Sequence, residues 1–203
     1  MTKDEIVTVL NARLQKTETT TTIAEDIRAG LKYVSEAGLW PCLHHTATGT
    51  LTSATQYIAW PTDYRALDAI TINDGTYESR PLTRLDGGFD QWLKNREDET
   101  SGNYSTPTEI AERAQKWYLD PVSDDNGGSD YTYTVRFWRY HPHQSEILFP
   151  ESFREAVFDA VIGKYLMARK QANSAVFYLA CADREMADLP QDSKLTKIKY
   201  RDV

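Results

Sequence analysis

The sequence is short of cysteine, of long apolar runs and of positive charge, and each shortage removes a class of protein. Only two cysteines, Cys42 and Cys181, occur in 203 residues. Their separation fits no metal-ligand or redox spacing, so they are expected to be buried small hydrophobes rather than part of a disulfide scaffold. No stretch approaches the roughly 18 consecutive apolar residues of a membrane span, and Met1-Thr2-Lys3-Asp4-Glu5 lacks the basic-then-apolar order of a secretory signal. The expectation is a cytoplasmically made protein without membrane association. A net charge of −7 opposes a dedicated DNA binder, which needs clustered Lys and Arg to neutralise phosphates. Also missing are GxSxG, HExxH, GxxxxGK[ST] and GxGxxG, the usual anchors of esterase, metalloprotease, P-loop and dinucleotide chemistry.

What is present belongs to a folded chain. Apolar residues make up 40%, and aromatics, with twelve Tyr and five Trp, reach 11%. Tyr and Trp are also common at protein interfaces. Charge is unevenly spread. Between residues 86 and 130 stand eleven acids (Asp86, Asp90, Glu97, Asp98, Glu99, Glu109, Glu112, Asp120, Asp124, Asp125, Asp130) against four bases (Lys94, Arg96, Arg113, Lys116), a net −7. The remainder is neutral, and the last fourteen residues are mildly basic, with Lys194, Lys197, Lys199 and Arg201 against Asp192 and Asp202.

Periodicity divides the chain into three parts. Ile6, Leu10 and Leu14 predict a helix over 3–15. The string Thr22-Ile23-Ala24-Glu25 reads as a capping box opening a second helix, with Ile23, Ile27, Leu31 and Val34 inside and Gly38 and Pro41 at its end. From His45 to Pro142 the period falls to two, predicting antiparallel strands over 48–52, 56–60, 65–72, 117–119 and 131–140, with a hairpin turn at Asn73-Asp74-Gly75. In the last strand Tyr131, Tyr133, Val135 and Phe137 share one face. Phe149-Pro150-Glu151 then opens a long helical stretch. Its ridges are Phe153, Val157, Val161, Tyr165 and Phe158, Ile162, Leu166. After a break at Gln171-Ala172-Asn173-Ser174, Val176, Leu179, Ala182 and Met186 predict a further helical face. The fold class is α+β, with terminal helices packed as a bundle and an antiparallel β-rich lobe inserted between them. Residues 1–189 are read as one domain (helices over 3–40 and 150–189, insertion over 45–142), and 190–203 as a tail.

Three chemistries have partial signals in the sequence. Cys42, His44 and His45, with His141 and His143, resemble metal ligands, but adjacent histidines on a strand point apart, so no metal site is expected. Asp124-Asp125-Asn126-Gly127 suggests calcium, yet its acids do not alternate and the twelfth position is Val135 rather than Glu, so a solvated turn is expected. A glycosidase needs two carboxylates flanking a bond, and the acidic middle offers many without marking any pair.

The order of motifs resembles the tailed-phage head-to-tail adaptors, also called head completion or portal accessory proteins. The resemblance covers most of the chain. It rests on the helices over 6–14 and 23–40, a threonine-rich hairpin over 46–55, and Gln56-Tyr57-Ile58-Ala59-Trp60-Pro61-Thr62-Asp63-Tyr64. It continues through Gly102-Asn103-Tyr104-Ser105-Thr106-Pro107-Thr108-Glu109-Ile110, Trp117-Tyr118-Leu119-Asp120-Pro121, the strand leading to His141-Pro142, and Phe149-Pro150-Glu151-Ser152-Phe153. Glu109 departs from the pattern, which usually carries an aromatic there.

The resemblance implies a structural, non-enzymatic virion protein without cofactor or metal. It would be made in the host cytoplasm and placed in the neck between capsid and tail. It implies a homo-oligomeric, dodecameric ring docked on the portal protein ring and facing tail, stopper or nozzle proteins, with DNA passing through the lumen during packaging completion and ejection without specific binding. The tail is expected to bind the portal through Leu195, Lys197, Ile198, Lys199, Tyr200 and Arg201, and Asp98, Glu99, Asp124 and Asp125 to line the DNA channel. The alternatives are another phage assembly component and a virion-associated peptidoglycan hydrolase.

Overall fold

The computed structural model describes residues 1–73, 80–97, 105–124, 130–142 and 146–190. In chain order the described elements are α1 (Lys3–Leu14), α2 (Ala24–Ala37), β1 (His44–Leu51), β2 (Tyr57–Ala59), β3 (Tyr64–Asn73), β4 (Arg80–Pro81), β5 (Thr83–Arg84), α3 (Gly88–Glu97), β6 (Glu109–Arg113), β7 (Lys116–Asp120), β8 (Tyr131–Arg139), α4 (Arg154–Ala168) and α5 (Ala172–Ala187). Short 3-10 turns cover Pro41–Leu43 and Glu151–Phe153. The class is α+β. The chain divides into two compact units, residues 1–44 with 138–203, and residues 45–137.

In the first unit α4 is the hub. Both of its predicted ridges are buried, and Ala156 and Ala160 are buried with them, so the helix is enclosed on nearly every side. α2 approaches it most closely at Gly30, where a Cβ would stand 2.5 Å from Val161 Cγ2 and 2.7 Å from Val161 Cα. α5 covers Gly163, whose missing side chain leaves room for Leu179.

Two sequence expectations fail in this unit. The capping box forms at α1, where Thr2 Oγ1 accepts the Glu5 amide at 3.2 Å and Glu5 Oε2 accepts the Thr2 amide at 2.7 Å. At Thr22-Ile23-Ala24-Glu25 no box forms, and the N-cap of α2 is Ile23 without a side-chain bond. The Thr22 hydroxyl is already engaged in the preceding turn. It accepts the Thr19 amide at 2.9 Å and donates to Glu18 Oε2 at 2.9 Å. In α5 the inner face is Ala175, Ala182 and Met186, with Leu179 half-buried, and Val176 turns outward. The break falls at residues 169–171, where Lys170 takes φ 61°.

The second unit contains two four-stranded sheets, ordered β1-β8-β3-β4 and β2-β7-β6-β5. Both contribute to one core, with Leu51, Ile70, Ile72, Tyr131, Val135 and Phe137 from the first and Ile58, Ile110, Trp117 and Leu119 from the second. The threonine-rich hairpin expected over 46–55 is not one, because β1 and β2 belong to different sheets. The chain changes sheet through a turn in which Ala54 adopts φ 63° and its amide bonds Ser123 O at 2.9 Å. Not every pairing is antiparallel, since β5 runs parallel to β6. Within the strand-rich middle lies a helix, α3, anchored by Trp92, whose Nε1–H donates to Leu119 O at 2.9 Å. The turn expected at Asn73-Asp74-Gly75 lies largely outside the described residues. The strands flanking it pair antiparallel, Thr71 with Pro81 and Ile72 with Arg80.

Candidate interaction surfaces

Of the residues weighed as metal ligands, His143 lies outside the described residues and the three other histidines make packing contacts. His44 sits edge-on to Trp138 with centroids 5.0 Å apart, and His45 edge-on to Phe137 at 5.7 Å. His141 is buried; its Nε2 accepts the Leu148 amide at 2.7 Å, and its ring stacks on Phe149. Cys42 and Cys181 are half-buried free thiols, and burial pushes the Cys42 thiol up. No group of three or more His, Cys, Asp and Glu side chains among the described residues is placed to hold a metal ion.

A pair of carboxylates that share one guanidinium lies outside the acidic middle. Glu155 and Asp159, one turn apart on α4, are both gripped by Arg13 of α1, with Nη2 to Glu155 Oε2 at 2.6 Å and Nη1 on Asp159. Burial raises the Asp159 carboxyl, and Arg13 only partly opposes it. Arg13 is itself raised: burial lowers it, but its bonds to the two carboxylates outweigh that. The arrangement behaves as a tie between α1 and α4. A glycosidase would need its acid pair open to a sugar, and here a guanidinium occupies the space between them.

The acidic middle is less of a free surface than its charge count indicates. Asp120 is buried, bonded by Arg96 and, at 2.6 Å, by Asn95 Nδ2. Glu112 accepts from Trp117 Nε1 at 3.2 Å and pairs with Arg84 at 3.4 Å. Asp124 is half-buried and accepts the Tyr131 hydroxyl. Asp86, Asp90, Glu97 and Asp130 are exposed. Asp98, Glu99 and Asp125 lie outside the described residues. So do Leu195, Lys197, Ile198, Lys199, Tyr200 and Arg201.

The first unit presents two further surfaces. An open groove of about 620 Å³ runs past the first turns of α1 and α2, lined by Thr2, Lys3, Asp4, Thr20, Thr21, Ala24, Ile27 and Arg28. In the loop before α2, Glu18 accepts from Thr22 and, at 2.7 Å, from the Tyr165 hydroxyl. These two bonds hold the Glu18 carboxyl below its usual range. Arg169 adds a bond to Asp26 at 3.0 Å and lies 3.4 Å from the Tyr165 ring centroid. The second surface is apolar. On α5 Val176 is 62% and Phe177 65% exposed, and at the end of α4 Met167 is 49% exposed.

The sequence model of the SU10 adaptor protein family matches residues 1–199. The chain belongs to the SU10 adaptor protein family. No curated protein matches it. Membership makes this SU10 adaptor relative a structural phage protein of the virion, associated with other head–tail proteins. No described helix is long and apolar enough to cross a membrane.

Of the surfaces on this adaptor, sequence reasoning missed the groove and the α5 patch. The patch had a legible signal. At 100° per residue Phe177 lies opposite Met186, so a helix that buries Ala182 and Met186 must expose Phe177. The groove had none, because its walls come from two helix starts and a loop brought together by tertiary contacts.

Proposed function

We propose that this chain forms the dodecameric adaptor ring that joins the portal to the tail and extends the DNA channel for packaging completion and ejection. The supporting observation is the family match, which runs through both units and into the tail. The portal contact is assigned to Leu195, Lys197, Ile198, Lys199, Tyr200 and Arg201, where apolar side chains alternate with bases and suit addition to a strand edge flanked by acids. The lumen is assigned to the acidic middle, including Asp98, Glu99, Asp124 and Asp125, which would repel phosphates and let DNA slide. Among these, Asp124 is a fixed carboxylate held by Tyr131.

The test is gel filtration of the full chain and of a chain lacking residues 190–203, each mixed with the cognate portal ring. The full chain is expected to co-elute with the ring and the truncated chain to remain free with its circular dichroism unchanged. Equal binding by both would overturn the assignment of the tail. Basic substitutions at the lumen acids are expected to slow ejection, and a cryo-EM map with those acids on the outer rim would contradict the lumen assignment. Neither form is expected to clear a cell-wall suspension.

A further inference from the structure

We infer that in the free chain the tail over residues 191–203 folds back along α5 and covers Val176 and Phe177 with Ile198 and Tyr200, and that docking on the portal draws it off. The release step rests on the portal reading above; the fold-back does not.

Val176 and Phe177 are the most exposed large apolar side chains among the described residues. The course of the chain after α5 names their cover. Leu189 is half-buried against the helical core, and the exposed Pro190 cannot continue the helix, so the chain leaves α5 at the surface of the same unit. Phe177 lies ten residues before Ala187, about 15 Å back along the helix axis. The eight residues that follow Pro190, as far as Ile198, span up to about 26 Å when extended. Ile198 therefore reaches Phe177 with slack. An extended tail places Thr196, Ile198 and Tyr200 on one face and Lys197, Lys199 and Arg201 on the other. The first face suits Val176 and Phe177, and the second stays in water.

The track between the helix end and the patch is passable. Ala180 and Ala187, small and exposed, lie on the same side of α5 as Phe177. Arg184 on that side is paired with Glu185 at 3.7 Å. Asp183, whose partner is the neutral Tyr33 hydroxyl, and the exposed Asp188 leave the last turns of α5 net negative. In the tail four bases stand against Asp192 and Asp202.

The contact is weak and depends on the tether. Two or three apolar side chains bury far less than the roughly 800 Å² per partner of a stable complex between separate molecules. A short tether supplies an effective concentration of about the millimolar range, so the tail rests on its own helix while free copies stay apart. A portal ring that takes Ile198 and Tyr200 removes the same side chains from α5. The two contacts exclude each other, and Val176 and Phe177 are uncovered only in docked copies.

The tail carries four tryptic sites, Lys194, Lys197, Lys199 and Arg201, and cleavage there follows the fraction of chains with the tail lifted. Limited proteolysis compares the free full chain with Phe177→Lys, which removes the ring, repels the tail bases and keeps a good helix former at an exposed position. The variant is expected to keep the wild-type melting curve and to lose its tail about fivefold faster or more. Equal rates would overturn the inference. A second measurement irradiates Phe177→p-benzoylphenylalanine in the free full chain at low concentration. The expected product is a link within one chain to a peptide from residues 191–203. A link to any other segment, a link between two copies, or no link would overturn the fold-back. Irradiation of the same variant in a portal complex separates the two steps. Loss of the internal link supports release, and its persistence overturns release alone. If no complex forms, the portal reading fails and takes release with it, while the link in the free chain still decides the fold-back.

Discussion

The two units of the molecule are stabilised in different ways. In the helical unit the decisive feature is close approach of backbones, with α2 pressed on α4 at Gly30, beside buried bonds such as that from Trp40 Nε1–H to Val34 O at 2.6 Å. In the β unit the decisive features lie inside. Trp117 is fully buried among Trp60 and Tyr64, with centroids 5.8 and 5.1 Å away, and the Arg96–Asp120 pair pins α3 to the sheet. The helical unit carries exposed apolar side chains at Val176 and Phe177, whereas in the β unit the buried Asp120 is committed to holding α3.

The largest expected effect breaks the β unit alone. Trp117→Ala removes a large ring from a closed core and should cost about 4 kcal/mol. Amide hydrogen exchange should accelerate across residues 45–137 and stay unchanged in residues 1–44 and 138–190. Equal acceleration in both units would contradict the separation.

Gly30→Ala sharpens the other side. Helix propensity alone would make it stabilising by about 1 kcal/mol. The contact with the Val161 backbone instead predicts a loss of about 2 kcal/mol, since backbone cannot rotate aside. A higher melting temperature would remove close approach as the organising feature.

Arg13→Ala is expected to cost about 2 kcal/mol, below the usual figure for a buried pair because Arg13 is one-third open to solvent. Its pH dependence is diagnostic. Burial already raises Asp159, so its ionisation works against the folded state, and loss of Arg13 raises it further. The deficit should be largest at neutral pH and shrink on acidification, as the buried carboxyl takes up a proton. Urea titrations at two pH values would show this.

The smallest effect is at the α2–α5 rim. The Tyr33 hydroxyl donates to Asp183 at 2.6 Å, and burial, helped by that carboxylate, pushes its pKa from 10.0 up to about 12. A raised pKa means that this contribution is intact below pH 10 and is lost as pH rises through about 12. Tyr33→Phe should cost about 1 kcal/mol at neutral pH and remove that alkaline step.

Elements carried by their own periodicity were legible in the sequence. α1, α2 and α4 announce themselves by stripes at three and four residues, and β3 and β8 by alternation. Elements that exist through their partners were not. β6, Glu-Ile-Ala-Glu-Arg, has good helix formers and is a strand because β7 pairs with it along its whole length. α3 buries only Trp92, so its short charged sequence showed no stripe. The two threonine–glutamate spacings at residues 2–5 and 22–25 look alike, and only the turn at Thr19 decides which one caps a helix. For function, the family resemblance was readable from motif order, while the groove and the state of Asp120, Glu112 and Asp124 needed the fold.

The central claim is that the chain acts by assembly on the portal. The direct measurement is the mass, by light scattering after gel filtration, of the chain alone and mixed with its portal ring. The account predicts single copies alone and a complex with one copy per portal subunit in the mixture. A chain that remains a free single copy beside an intact portal ring would contradict it.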